Sequence, residues 1–259
     1  MIFYFTGTGN SLYVAKKLDA NPVSIPKMLN RENLVFTDDR IGIVCPVYGH
    51  EMPAMVKEFI RKADFRTEYL YLILTYGARH GNAVELAQLA LKDAGKQGNY
   101  ITTLLMVDNF LPVFDMTEEL KLEKNVEQQL EKIKEDITEK KHFFELVTPE
   151  DKAMHHRYTK LVKNAPATMW ADFTVTEDCI GCGICTKVCP AGCIEIAGQK
   201  AISTKENCQA CFACIHACPK LAIQMNIPEK NAKARYRNEH ITLCEIVAAN
   251  DQTKQASHQ

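Results

Sequence analysis

CIGCGICTKVCP, Cys179–Pro190, and CQACFACIHACP, Cys208–Pro219, decide how this chain is read. Each follows the spacing C-x2-C-x2-C-x3-C-P, and nine of the eleven cysteines lie between 179 and 219. The second run repeats the first at an offset of 29 residues, which brings Pro190 onto Pro219, Ile194 onto Ile223 and Ile196 onto Met225. A cysteine run that occurs twice, closed each time by proline, is both an internal repeat and a metal-ligand pattern.

The spacing has a chemical reason. A cuboidal four-iron cluster needs four thiolates from different directions, and one tight loop can supply only three of them. The residues between the cysteines are small or apolar (Ile180, Gly181, Gly183, Ile184, Ala210, Ala213), so backbone can wrap closely and turn N–H groups toward the sulfurs. Zinc ribbons also use paired C-x2-C motifs, but they need neither the third cysteine nor the closing proline. Disulfides fit poorly with a chain that reads as intracellular. The doubled run resembles the bacterial ferredoxins that hold two 4Fe–4S clusters. That resemblance implies an exchange of fourth ligands: Cys179, Cys182, Cys185 and Cys218 for one cluster, and Cys208, Cys211, Cys214 and Cys189 for the other. Cys193 falls on Ala222 in the repeat and is expected to be a packed thiol. A domain of about 55 residues has little core, so metal binding must supply much of its stability.

The chain has 259 residues, room for that small domain and a larger one of about 150 residues. A net charge of -1 gives no electrostatic case for nucleic acid or membrane surfaces. Hydrophobic residues make up 46%, yet no run has the length of a membrane span. The opening MIFYFTGTGN reads as a strand and not as a signal peptide, and with reduced cysteines it points to the cytoplasm. Clusters of low potential suggest an oxygen-poor, anaerobic setting. The expected division is 1–145, a linker over 146–172, the cysteine domain over 173–228, and an extension over 229–259 whose polar end is disordered.

Residues 1–145 alternate strands and helices. Ile2–Phe5, Ile41–Val47, Tyr69–Thr75 and Ile101–Val107 are apolar strands, with a weaker one near Val23–Ile25. Helical spacing follows from Leu12, through Met52–Ile60, Val84–Ala94 and Val126–Ile137. The pattern predicts an α/β domain with a five-stranded, doubly wound parallel sheet, and a smaller α+β cysteine domain after it. Ligands of such sheets bind at the carboxyl ends of the strands.

Those ends carry the remaining signal. Thr6, Gly7, Thr8, Gly9, Asn10 and Ser11 combine hydroxyls, flexible backbone and a helix start, which suits a phosphate without any Lys or Arg. The lysine of a nucleoside-triphosphate loop is missing, and Leu12 stands where a dinucleotide fingerprint needs its third glycine. Pro46, Val47, Tyr48 and Gly49 follow one strand; Thr75, Tyr76 and Gly77, then Arg79, His80 and Gly81, follow another. On these three loops, residues 1–145 resemble a flavodoxin, and the whole chain resembles flavodoxin–ferredoxin fusion proteins. The resemblance implies FMN, its phosphate at Thr6–Ser11 and its ring between Tyr48 and Tyr76. Gly81 belongs to the same ring-contacting set. The alternative makes the tyrosines packing residues at the sheet edge. Arg79 and His80 are either solvated or cations that favour a reduced, anionic ring.

The rest says less. Thr148-Pro149-Glu150 opens a short helix, His155 and His156 read as solvated, and Trp170 packs at the junction of the domains. The basic stretch from Lys230 to Arg237 docks on an acidic helix or meets a partner, and Cys45 and Cys244 read as core residues. The function expected is electron transfer between the clusters, FMN and redox partner proteins. The alternative is an FMN-dependent oxidoreductase that reduces a quinone or NAD(P); the lack of a second nucleotide motif favours the carrier.

Overall fold

A computed structural model describes residues 1–165 and 169–252. Contacts among the described residues gather in two compact units: one of residues 1–5, 11–107 and 124–165, the other of residues 6–10, 108–123 and 169–252.

The first unit begins with β1 (Ile2–Tyr4), α1 (Asn10–Leu18), β2 (Val23–Ser24) and α2 (Ile25–Met28). β3 (Val35–Thr37), β4 (Arg40–Pro46), α3 (Ala54–Lys62), β5 (Asp64–Arg66), β6 (Tyr69–Tyr76), α4 (Ala83–Asp93) and β7 (Tyr100–Leu105) follow. After α5 (Met116–Glu119), which belongs to the second unit, come α6 (Val126–Thr138), β8 (Phe143–Phe144) and α7 (Pro149–Val162). The main sheet is parallel throughout, in the order β2-β1-β4-β6-β7-β8. Counted within the sheet this is 2-1-3-4-5-6, the flavodoxin-type order with one strand added. The five-strand expectation is corrected to six. β8 has only two residues, both exposed phenylalanines, so no buried run announced it. β3 and β5 form a separate parallel pair.

β4 and β6 are buried along almost their whole length because helices cover both faces of a parallel sheet. Val56, Phe59 and Ile60 of α3, Val84, Ala87 and Leu91 of α4, and Leu130, Ile133 and Ile137 of α6 are the inward faces, at helical spacing. Phe3, Phe36, Phe59 and Phe65 cluster with ring centroids 4.5 to 6.3 Å apart. Gly42 lies under the Tyr71 ring, which occupies the space a Cβ would take. α7 is longer than the short helix expected: Thr148 and Asp151 form a reciprocal capping box, with Pro149 in the first turn.

The second unit holds both cysteine runs. β9 (Phe173–Val175) pairs antiparallel with β12 (Ile223–Met225), and β10 (Ile194–Ala197) with β11 (Lys200–Ser203). α8 (Ile184–Val188) and α9 (Ala213–Ala217) have five residues each, and their bounds differ by the same 29 residues as the cysteines. The backbone repeats too. Gly181 and Ala210 have φ of 64° and 49°, and Gly183 and Phe212 have 72° and 56°, so left-handed turns recur where the second run has no glycine. α10 (Leu243–Asn250) starts at a Thr242–Glu245 capping box. In the basic stretch, Arg235 donates to Glu229 at 2.8 Å, a partner close by in the chain and in no helix, with side chains only 9% and 3% exposed. Asp251 is buried, and the tail beyond Gln252 lies outside the described residues. Among the described residues, no helix is long and apolar enough to cross a membrane.

Candidate functional site

Two pockets in the second unit divide the cysteines. One is lined by Cys179, Cys182, Cys185 and Cys218 with Ile180, Ile184 and Ile223. The other is lined by Cys208, Cys211, Cys214 and Cys189 with Trp170, Phe173 and Phe212. Each therefore has three cysteines of one run and the last cysteine of the other. The left-handed turns at Gly181, Gly183, Ala210 and Phe212 bend the chain around three sulfurs, and the five-residue helices carry the fourth across. Four sulfurs spread around a pocket suit a cube of irons better than one zinc.

Backbone N–H groups reach the sulfurs. Ala222 donates to Cys218 Sγ at 3.3 Å and Ala201 to Cys179 Sγ at 3.5 Å. Burial pushes the Cys185 thiol up to about 11, and it raises Cys211 and Cys214 as well. Cys189 goes the other way, because the Cys193 thiol and nearby backbone N–H groups donate to it. Cys193 also lowers Cys208, and its own thiol is raised by both neighbours. Cys193 is buried, as expected of a packed thiol, but its sulfur lies 3.4 Å from Cys189 Sγ and lines the second pocket. The pockets differ in exposure: Cys182 is exposed and Ile180 is 59% exposed, whereas Cys211 is buried. Trp170 stands edge-on to Phe110 at 5.2 Å. Cys45 is buried; Cys244 is exposed on α10 and so corrects its reading as a core residue.

Thr6–Asn10 is held inside the second unit. Thr6 Oγ1 accepts from Gly9 N–H at 3.1 Å and Thr8 Oγ1 from Asn109 Nδ2 at 2.9 Å. Each hydroxyl is used as an acceptor, which leaves its proton to donate, and that donor set suits a phosphate. Gly9 has φ 108°, and a Cβ there would lie 2.9 Å from Asn238 Cβ. Asn238 N–H donates to the Thr8 carbonyl, while the Tyr236 hydroxyl and Asn238 Nδ2 donate to Asn10 Oδ1. No motif marked Asn109, Tyr236 or Asn238 in the sequence.

The other two loops are in the first unit. The Ser11 hydroxyl bonds the Thr75 hydroxyl at 2.8 Å, and Val47 N–H donates to the Thr75 carbonyl where Pro46 pairs with Thr75. Tyr48 is half-buried, edge-on to Phe5 at 6.4 Å. The Tyr158 hydroxyl fills the space beside Gly49. Tyr76 stands edge-on to His80 at 5.0 Å; the Gly77 carbonyl accepts from Lys124; the His50 ring packs on Gly81. Arg79 is turned toward the Met154 sulfur. His155 is not solvated: its ring lies 5.8 Å from His50, and both Nδ1 atoms are buried without a partner.

Comparison with known proteins bears mainly on the cysteines. Residues 172–219 match the 4Fe-4S dicluster domain family. No curated protein matches the chain. Among solved structures, the chain is similar to the Trp repressor binding protein from Bacillus subtilis, at 15% identity over 41% of this chain and 85% of that one, with a TM-score of 0.28.

Proposed function

We propose that the chain is an electron-transfer protein that carries two 4Fe–4S clusters and FMN and serves redox partner proteins in the cytoplasm. The observation that carries this reading is the division of eight cysteines between two pockets, each completed by a cysteine of the other run. When bound, each cluster supplies one-electron exchange, and FMN supplies one- or two-electron exchange. Cys179, Cys182, Cys185 and Cys218 would hold one cluster, and Cys208, Cys211, Cys214 and Cys189 the other. The aromatic rings shield the buried sulfurs of the second pocket, and the N–H groups of Ala201 and Ala222 offset negative charge on Cys179 and Cys218. The exposed edge at Cys182 and Ile180 makes the first pocket the side a partner reaches.

For FMN, the Thr6 and Thr8 hydroxyl protons support a phosphate at Thr6–Ser11, and the resemblance to flavodoxins supports a ring between the Tyr48 and Tyr76 loops. Anaerobic rapid mixing tests the whole reading. Electrons given to the clusters should reach flavin at a rate independent of protein concentration. A rate that scales with concentration, or steady turnover with NAD(P)H and quinones, would contradict an intramolecular carrier.

A further inference from the structure

The loop Thr6–Asn10 is fastened at both ends to segments that bear the cysteines. Asn250, fully buried at the end of α10, donates through Nδ2 to the Thr6 carbonyl at 3.0 Å and to the Val188 carbonyl at 3.1 Å. Val188 is the last residue of α8, directly before Cys189. The second fastening runs through His216, on α9 between Cys214 and Cys218. Its Nδ1 accepts from Tyr236 N–H at 3.0 Å, so the neutral ring carries its proton on Nε2 and donates to the Asn109 carbonyl at 2.9 Å. Asn109 then donates through Nδ2 to the Thr8 hydroxyl, and Tyr236 through its hydroxyl to Asn10 at 2.5 Å.

We propose that Asn109, Tyr236 and Asn250 are positioning residues for the phosphate loop, and that they hold it in shape only while the clusters are in place. The phosphate part of this rests on the reading of Thr6–Ser11 given above. α8 and α9 have five residues each, far short of the length at which a helix stands alone. Their order depends on the metal that their cysteines bind. The carbonyl of Val188 and the ring of His216 are the far ends of both fastenings, so loss of metal releases the loop as well. Binding of a phosphate to a loop that must first be ordered is weaker by the fraction of time the loop spends ordered. Cluster assembly and phosphate binding are therefore linked, and each favours the other.

The test is hydrogen exchange on the full chain, which needs no ligand. Peptides covering 6–11 are compared with peptides covering 69–76 in the iron-loaded chain, in the iron-stripped chain, and in iron-loaded Asn109→Ala and Asn250→Ala. The expected result is faster exchange over 6–11, by about tenfold or more, on stripping and in each variant, with 69–76 unchanged. Asn109→Ala cuts only the bond to Thr8, because His216 holds the backbone carbonyl of Asn109. It should keep full iron content and still loosen the loop, so it decides the matter if Asn250→Ala fails to fold. Equal exchange over 6–11 in the loaded and stripped chains, while 179–218 loses protection, would overturn the proposal. FMN titration is the second arm. Affinity about tenfold weaker in Asn109→Ala, at unchanged iron, supports the phosphate role. A wild-type chain that binds no FMN removes the phosphate reading alone, and hydrogen exchange still decides the fastening.

Discussion

Cys189 and Cys193 bring their sulfurs to 3.4 Å in the second pocket, and no such contact is possible in the first, where Ala222 stands at the matching position of the repeat. The two pockets therefore share a four-cysteine pattern but differ in their surroundings, since the second has Cys193 as a fifth cysteine in its wall. A thiol that donates to ligand sulfurs stabilises the extra negative charge of a reduced cluster.

Cys193→Ala should consequently keep its full iron and sulfide and lower the potential of the second cluster alone. Potentiometric titration followed by electron paramagnetic resonance reads both centres. Loss of iron would mean that Cys193 is a ligand, and unchanged potentials would mean that its thiol does not act on the cluster.

Cys189→Ala should damage the cluster held by Cys208, Cys211 and Cys214, and Cys218→Ala the one held by Cys179, Cys182 and Cys185. Cluster-resolved spectroscopy of the two variants checks this. Damage in each case to the cluster of the mutated run would show that the fourth ligands are not exchanged.

Thr8→Val removes the hydroxyl that Asn109 holds in place, and should weaken FMN binding roughly ten- to hundred-fold while both clusters survive. Gly9→Val acts differently. It adds a Cβ 2.9 Å from Asn238 at a φ of 108°, so it should also dislodge the 238–241 segment. Flavin fluorescence titration of the two variants checks the order of effect, with Gly9→Val the worse. Wild-type affinity in both would take the loop out of the flavin site.

Asp136 is buried on α6 and accepts from Lys132, Lys141 and the Tyr100 hydroxyl. Burial pulls its pKa up, but the two ammonium groups outweigh this and hold it below the usual carboxylate range. A depressed folded pKa gives stability that is present above the unfolded value of about 3.9 and lost as pH falls through the folded one. Asp136→Asn should thus cost about 1.5–3 kcal/mol at pH 7 and much less below pH 3. Denaturant unfolding of the iron-stripped chains, followed by circular dichroism, checks this; a gap that does not narrow in acid would contradict the charge argument.

The strands that make the main sheet were legible because burial on both faces leaves continuous apolar runs, as at Arg40–Pro46 and Tyr69–Tyr76. Phe143–Phe144 was not, since two exposed residues at a sheet edge carry no period. The helices Ile184–Val188 and Ala213–Ala217 repeat at the cysteine offset, but five-residue helices are too short to show a period, so the spacing gave the ligands and not the helices. What spacing could not announce is contact between residues far apart in the chain. Asn250 reaches Thr6 across 244 positions, and nothing in an isolated asparagine marks it as a clamp. Cys193 was readable as buried from its match to Ala222, but its approach to Cys189 depends on the turn between them.

Iron, acid-labile sulfide and flavin measured on one anaerobically purified sample test the account most directly. The account predicts about eight irons and about eight sulfides per chain, the content of two four-iron clusters, together with about one FMN. Zinc in place of iron, with no sulfide, would contradict it.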